Sequence, residues 1–184
     1  EGLSWAGSAL AALGDLAGAR SRYADAVEAA ERARAISDTP VQQFEWAQEK
    51  MQLASASREL GEAALARELY VEALRVLELT VAHDPENARW LREAARTRYR
   101  LAELALIAAD LEQTGLHLEA ALEGFQYLVG QDPTNLKFRV DRVGAWRLDA
   151  ERRLAAGEAD LAMERLLAIR SEFESELADS EVAS

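Results

Sequence analysis

The chain contains no cysteine and only two histidines among its 184 residues. Without thiols, neither a disulfide framework nor a thiolate metal site can form, and cysteine usage does not separate cytoplasm from periplasm. His83 and His117 stand far apart in sequence with no partner at ligand spacing, so no zinc site is expected; His83, near a predicted helix end, suits the helix dipole instead. No uninterrupted apolar run approaches the roughly 20 residues that a membrane-spanning helix needs. β-Branched residues are sparse and nowhere alternate with polar ones, which leaves no strand signal. Also missing are a Gly-rich phosphate loop, a nucleophile elbow and a Ser/His/Asp grouping. The many carboxylates fall mostly at helical surface positions beside arginine and read as a solvated face rather than a catalytic pair. The expectation is a non-catalytic chain with no cofactor and no metal.

The residues present favour a packed helical protein. Hydrophobic residues make up 49% and charged residues 29%, enough apolar surface to fold, and alanine, leucine, glutamate and arginine dominate. A formal net charge of −12 and a pI near 4.7 weigh against nucleic acid or an anionic membrane as the main partner, since both need a dominating positive field.

One signal organises the chain. Gly14-Asp15, Gly61-Glu62, Ala109-Asp110 and Gly157-Glu158 recur at intervals of 47, 48 and 48 residues. Each reads as a helix stop followed by an acid able to cap the next helix. A second landmark shares the period: Asp84-Pro85-Glu86-Asn87 returns 48 residues later as Asp132-Pro133-Thr134-Asn135. The three prolines, Pro40, Pro85 and Pro133, are expected in first helical turns, where the missing amide costs nothing. Self-similarity at this period predicts stacked helical hairpins. First helices are expected near 3–13, 40–60, 86–108 and 135–156, and second helices near 15–36, 62–82, 110–130 and 158–177.

These residues resemble the tetratricopeptide repeat family. After the turns come a small residue, an aromatic and another small residue at fixed offsets: Ala19, Tyr23 and Ala26, then Ala66, Tyr70 and Ala73. Thr114, Leu118 and Ala121 occupy those positions in the third unit, and Ala162, Leu166 and Ile169 in the fourth. The usual unit has about 34 residues, so this is a long-helix variant, similar to arrays attached to bacterial signalling proteins such as serine/threonine kinases and transcription regulators. The resemblance implies an all-α, right-handed solenoid of about four antiparallel hairpins. It forms a single domain over 1–184, with units near 1–38, 39–84, 85–132 and 133–177 and an acidic tail at 178–184. Glu1 to Trp5 enter a helix without an initiating methionine or a signal pattern, which reads as a piece of a longer protein; its compartment stays open, with cytoplasm favoured over periplasm.

Charge is segregated. Residues 86–108 carry five basic against three acidic side chains and 134–156 six against three, whereas 110–130 and 158–176 each total −4. In the resembled family first helices line the concave groove, which would place positive charge inside. At about 100° per residue, Arg89, Arg92, Arg96 and Arg100 fall on one narrow arc opposite Leu91, Ala94, Ala95, Leu101, Ala102 and Ala105. Arg98 lies on the apolar side and is expected either to snorkel or to pair with a carboxylate of an adjoining helix. The matching groove positions are Phe44, Gln48 and Gln52 in the second unit and Lys137 and Val140 in the fourth. The asparagine and lysine of the family's carboxylate clamp are absent. The expected partner is therefore a protein or peptide bearing an acidic or phosphorylated segment with an apolar anchor, without nucleic acid or membrane insertion. The alternative is self-association through terminal helices.

Overall fold

The structure, a computed structural model, describes the backbone of residues 2–182 and the side chains of residues 2–174. Glu1 lies outside the described residues, as do the side chains of the expected acidic tail and the backbone of its last two residues. Among the described residues there are eight α-helices and no strand: α1 (Gly2–Ala12), α2 (Leu16–Ile36), α3 (Pro40–Glu59), α4 (Ala63–His83), α5 (Ala88–Ile107), α6 (Leu111–Gln131), α7 (Leu136–Ala155) and α8 (Ala159–Val182).

The four turn signals close four copies of one backbone motif. Gly14, Gly61 and Gly157 adopt positive φ of 84°, 80° and 79°, and Ala109 takes the same conformation at 58°. In each turn the amide after this residue reaches five residues back: Asp15 to the Leu10 carbonyl, Glu62 to Ser57, Asp110 to Ala105 and Glu158 to Arg153, at 2.8 to 3.0 Å. This is the pattern that satisfies the last carbonyls of a helix when the chain turns left-handed. The acid that follows acts according to its length. Asp15 accepts from the Gly18 amide at 2.9 Å and Asp110 from the Gln113 amide at 3.0 Å, both capping the next helix. Glu62 makes no such cap; one methylene longer, it pairs with Arg20.

The prolines divide into two kinds. Pro40 opens α3 behind a Thr39–Gln42 capping box, as expected. Pro85 and Pro133 do not lie in a helical turn. Each occupies the second position of a β-turn, closed by the Asn87 amide on the Asp84 carbonyl and the Asn135 amide on the Asp132 carbonyl, both at 3.2 Å. Its fixed φ suits that position as well as it suits a helix start. The asparagines then cap: Asn87 Oδ1 accepts from the Trp90 amide and Asn135 Oδ1 from the Lys137 amide.

By packing, the chain separates into two compact units, Glu1–Leu101 and Ala102–Ser184, with the division inside α5. In the first, α1 packs on α2, α2 on α3 and α3 on α4. The small positions let these helices approach: Ala19, Ala66 and Ala73 are fully buried and Ala26 nearly so. Above them Tyr23 shares a hydrogen bond with Ser8, and Tyr70 repeats it with Ser55 one period later. In the second unit α6 packs on α7 and α7 on α8, around Leu118, Ala121, Phe125, Leu128, Ala145 and Leu148. No described helix is long and apolar enough to cross a membrane.

Candidate functional site

In the first unit, α3 and α5 bring together most of the expected groove residues. Gln48, Gln52, Arg96 and Arg100 line a cleft of about 100 Å³ with Met51, Ser55, Tyr70 and Glu93. Arg89, exposed, donates from Nη2 to Gln48 Oε1 at 2.9 Å, and Arg92 is half-buried. The Arg96 guanidinium lies 3.1 Å from Glu93, whose residue is only 8% exposed, and Arg100 reaches over the Tyr99 ring at 5.4 Å. Arg96 and Arg100 thus line the cleft beside the buried Glu93 carboxylate, Arg89 meets it through Gln48, and Arg92 is not among its lining residues. Its walls are donor-rich through the glutamines and the Ser55–Tyr70 hydroxyl pair.

Phe44 departs from the expectation. It is 1% exposed, stacked near Trp90 at 5.9 Å between ring centroids, and lies beneath the Arg89 guanidinium at 4.7 Å. A buried ring offers a partner no apolar contact; its role is to seat Arg89 by a cation–π interaction worth about 0.5 to 1 kcal/mol at an exposed site. Arg98 behaves as expected and pairs with Glu78 of α4 at 2.8 Å.

Lys137 and Val140 lie on α7 in the second unit and are both exposed, Val140 by 58%. The positive balance expected along this helix is largely consumed locally. Arg139 and Arg142 both hold Glu172 of α8, at 2.9 and 2.7 Å. Burial pushes the Glu172 carboxyl up, but the hydrogen bond from Arg139 and the charge of Arg142 outweigh it and leave it below its usual range. Arg142, itself buried, stacks on Trp146 at 4.6 Å.

The second unit also holds a concavity that the sequence reading did not anticipate, of about 600 Å³ between α6, α7 and α8. At its wall sits Asp149, 4% exposed, with Arg152 at 3.2 Å, Arg153 at 2.9 Å and Arg165 at 2.7 Å. Burial again raises the carboxyl, and the arginine hydrogen bonds and charges more than reverse it. Asp149 and Glu93 are buried exceptions to the expectation that the carboxylates lie mostly on solvated positions. The signal was present in the repeat: 48 and 96 residues earlier the place of Asp149 is taken by Leu101 and Leu53.

No family model matches the sequence, and no curated protein matches it. Among solved structures the chain is similar to the crystal structure of MamA, at 15% identity and a TM-score of 0.38, covering 94% of this chain and 96% of that one.

Proposed function

We propose that the chain is a non-catalytic interaction scaffold of tetratricopeptide type, one array over its whole length. In this reading it serves as the regulatory or targeting part of a larger bacterial signalling protein. Its partner is a peptide or protein segment carrying acidic or phosphorylated side chains, received by the arginine face of α5 and the glutamines of α3. The observation that carries this reading is the cleft in which Arg96 and Arg100 converge with Gln48, Gln52, Ser55 and Tyr70. Guanidinium groups match carboxylate and phosphate in geometry as well as charge. The face stands out against a chain whose net charge is −12, so an anionic segment is drawn to it rather than to the remaining surface.

The test is binding to an array of peptides presented in phosphorylated, acidic and neutralised forms. Wild-type chain should select the anionic forms. Reversing Arg92→Glu together with Arg96→Glu should abolish that selection while the circular dichroism spectrum stays helical. Equal capture of neutral and anionic forms, or selection that survives the reversal, contradicts the assignment.

A second reading, self-association, draws on α8. Met163, Leu166, Leu167 and Phe173 are each 43 to 56% exposed on this helix. Light scattering over a dilution series separates the readings, since the peptide receptor stays monomeric and the assembly module does not.

A further inference from the structure

The fourth unit breaks the repeat where its neighbours build core. Asp149 and Arg152 take the places held by Leu101 and Leu104 one unit earlier and by Leu53 and Ala56 before that. Leu101, Leu104 and Ala56 are buried, and Leu53 packs against the Ala19–Tyr23–Ala56 cluster. Position 115 changes as well: the preceding units carry Arg67 and Arg20, and Arg20 crosses to Glu62 in the next hairpin. Gly115 offers no such side chain. The nearest atom to the place its Cβ would occupy is Arg152 Cδ at 4.0 Å. The cavity of about 600 Å³ thus lies beside Gly115, where earlier units carry arginine, and is lined by an ion network where they carry leucine. A buried ion network is a poor source of stability compared with the apolar packing it replaces, and departures from local pattern without a stabilising return concentrate at sites of function.

The lining has two polar walls and an apolar floor. Asp149 is saturated, with Oδ1 accepting from Arg152 Nε and Nη2, and Oδ2 from Arg153 Nε and Arg165 Nε. Arg153 turns its remaining charge toward Glu158. Arg152 Nη1 and the two terminal nitrogens of Arg165 have no acceptor among the described residues. On α6, the exposed Glu119 and Glu123 likewise have no cation partner among the described residues. Between them lie Leu118, Leu122 and Trp146. A simple anion would meet Glu119 and Glu123, and a simple cation would meet the arginines. A volume of this size falls within the roughly 300 to 1,000 Å³ of small-molecule sites.

We infer that this cavity binds a zwitterion of dipeptide to tripeptide size with an apolar body. Its carboxylate lies between Arg152 and Arg165, its ammonium faces Glu119 and Glu123, and its side chains rest on Trp146 and Leu122. The site is separate from the arginine face of α5 and stands or falls independently of it.

Calorimetric titration of the full chain tests this, with leucyl-phenylalanine bearing both ends free as the probe. Its N-acetyl form, its C-terminal amide and alanyl-alanine serve as comparisons. The free dipeptide should bind saturably at one site, and each of the three comparisons at least tenfold more weakly. Gly115→Arg restores the residue of the preceding units, fills the cavity and should abolish binding without lowering the melting temperature, because arginine favours helix over glycine. Arg165→Gln, at a side chain 36% exposed, should weaken the free dipeptide and remove its advantage over the amide. The inference is overturned by no saturable binding of the free dipeptide to wild type, by equal affinity for the capped forms, or by undiminished binding to folded Gly115→Arg. Should Gly115→Arg fail to fold, undiminished binding to Arg165→Gln overturns it equally.

Discussion

Ala109 holds at φ 58° a conformation that its three counterparts reach as glycines. A side chain with a Cβ adopts this region at a cost of about 1 to 2 kcal/mol, partly offset because glycine loses more freedom on folding. Ala109→Gly should therefore stabilise the chain by about 0.5 to 1 kcal/mol, seen as a higher urea midpoint at unchanged slope. Asp149 is the opposite case, a residue whose environment and not its backbone sets its value. Its folded pKa lies below the ordinary 3.8, and that of Glu172 below 4.5. A lowered carboxyl contributes stability that is present above the unfolded value and lost as pH falls through the folded one. Stability should thus be level in this respect near neutrality and decline as pH drops below about 4.5. Asp149→Asn should flatten that acid limb and cost about 3 kcal/mol at pH 7, because three guanidinium groups lose their shared acceptor. An unchanged pH profile in the variant would remove Asp149 from the account.

At the scale of the elements, most of the design was legible. Every helix expected from the period is present with ends within two residues, because the stop signals are local, except that α8 continues to Val182 through most of the expected acidic tail, where no such stop stands. The small positions were legible too. Ala73 is fully buried between helices, and Ala73→Leu should destabilise by about 1 to 3 kcal/mol through overpacking, measured as a drop in melting temperature. The misreadings arose where the period was trusted beyond the backbone. Phe44 shares a register with Arg92 and Val140, yet it is buried while Val140 is 58% exposed. What decides between them is the neighbouring Trp90 ring and the Arg89 guanidinium above, contacts that a helical wheel does not contain. Pro85 and Pro133 were placed in helices for a similar reason, since a proline before an asparagine cap satisfies a β-turn equally well. Asp149 is hidden among the many carboxylates of the chain, and comparison along the period, where leucine stands twice, singles it out.

Across the whole molecule, the arginine-rich helices α5 and α7 contrast with a net charge of −12. On α7, Arg139 and Arg142 hold Glu172 and Arg153 holds Asp149, while on α5 Arg96 and Arg100 line the cleft beside the buried Glu93. An anionic segment bound there interacts mainly through exposed charge, so its affinity should fall steeply between low and physiological salt as the screening length shortens to about 8 Å. Affinity flat across that range would argue for apolar docking on α8 instead. The most direct measurement of the central claim is a residue-by-residue map of amide chemical-shift changes as a phosphorylated, acidic peptide selected from the array is added to isotope-labelled chain. The account predicts that the largest changes cluster on Gln48, Gln52, Arg92, Arg96 and Arg100. Changes confined to α8, or scattered without saturation, would contradict it.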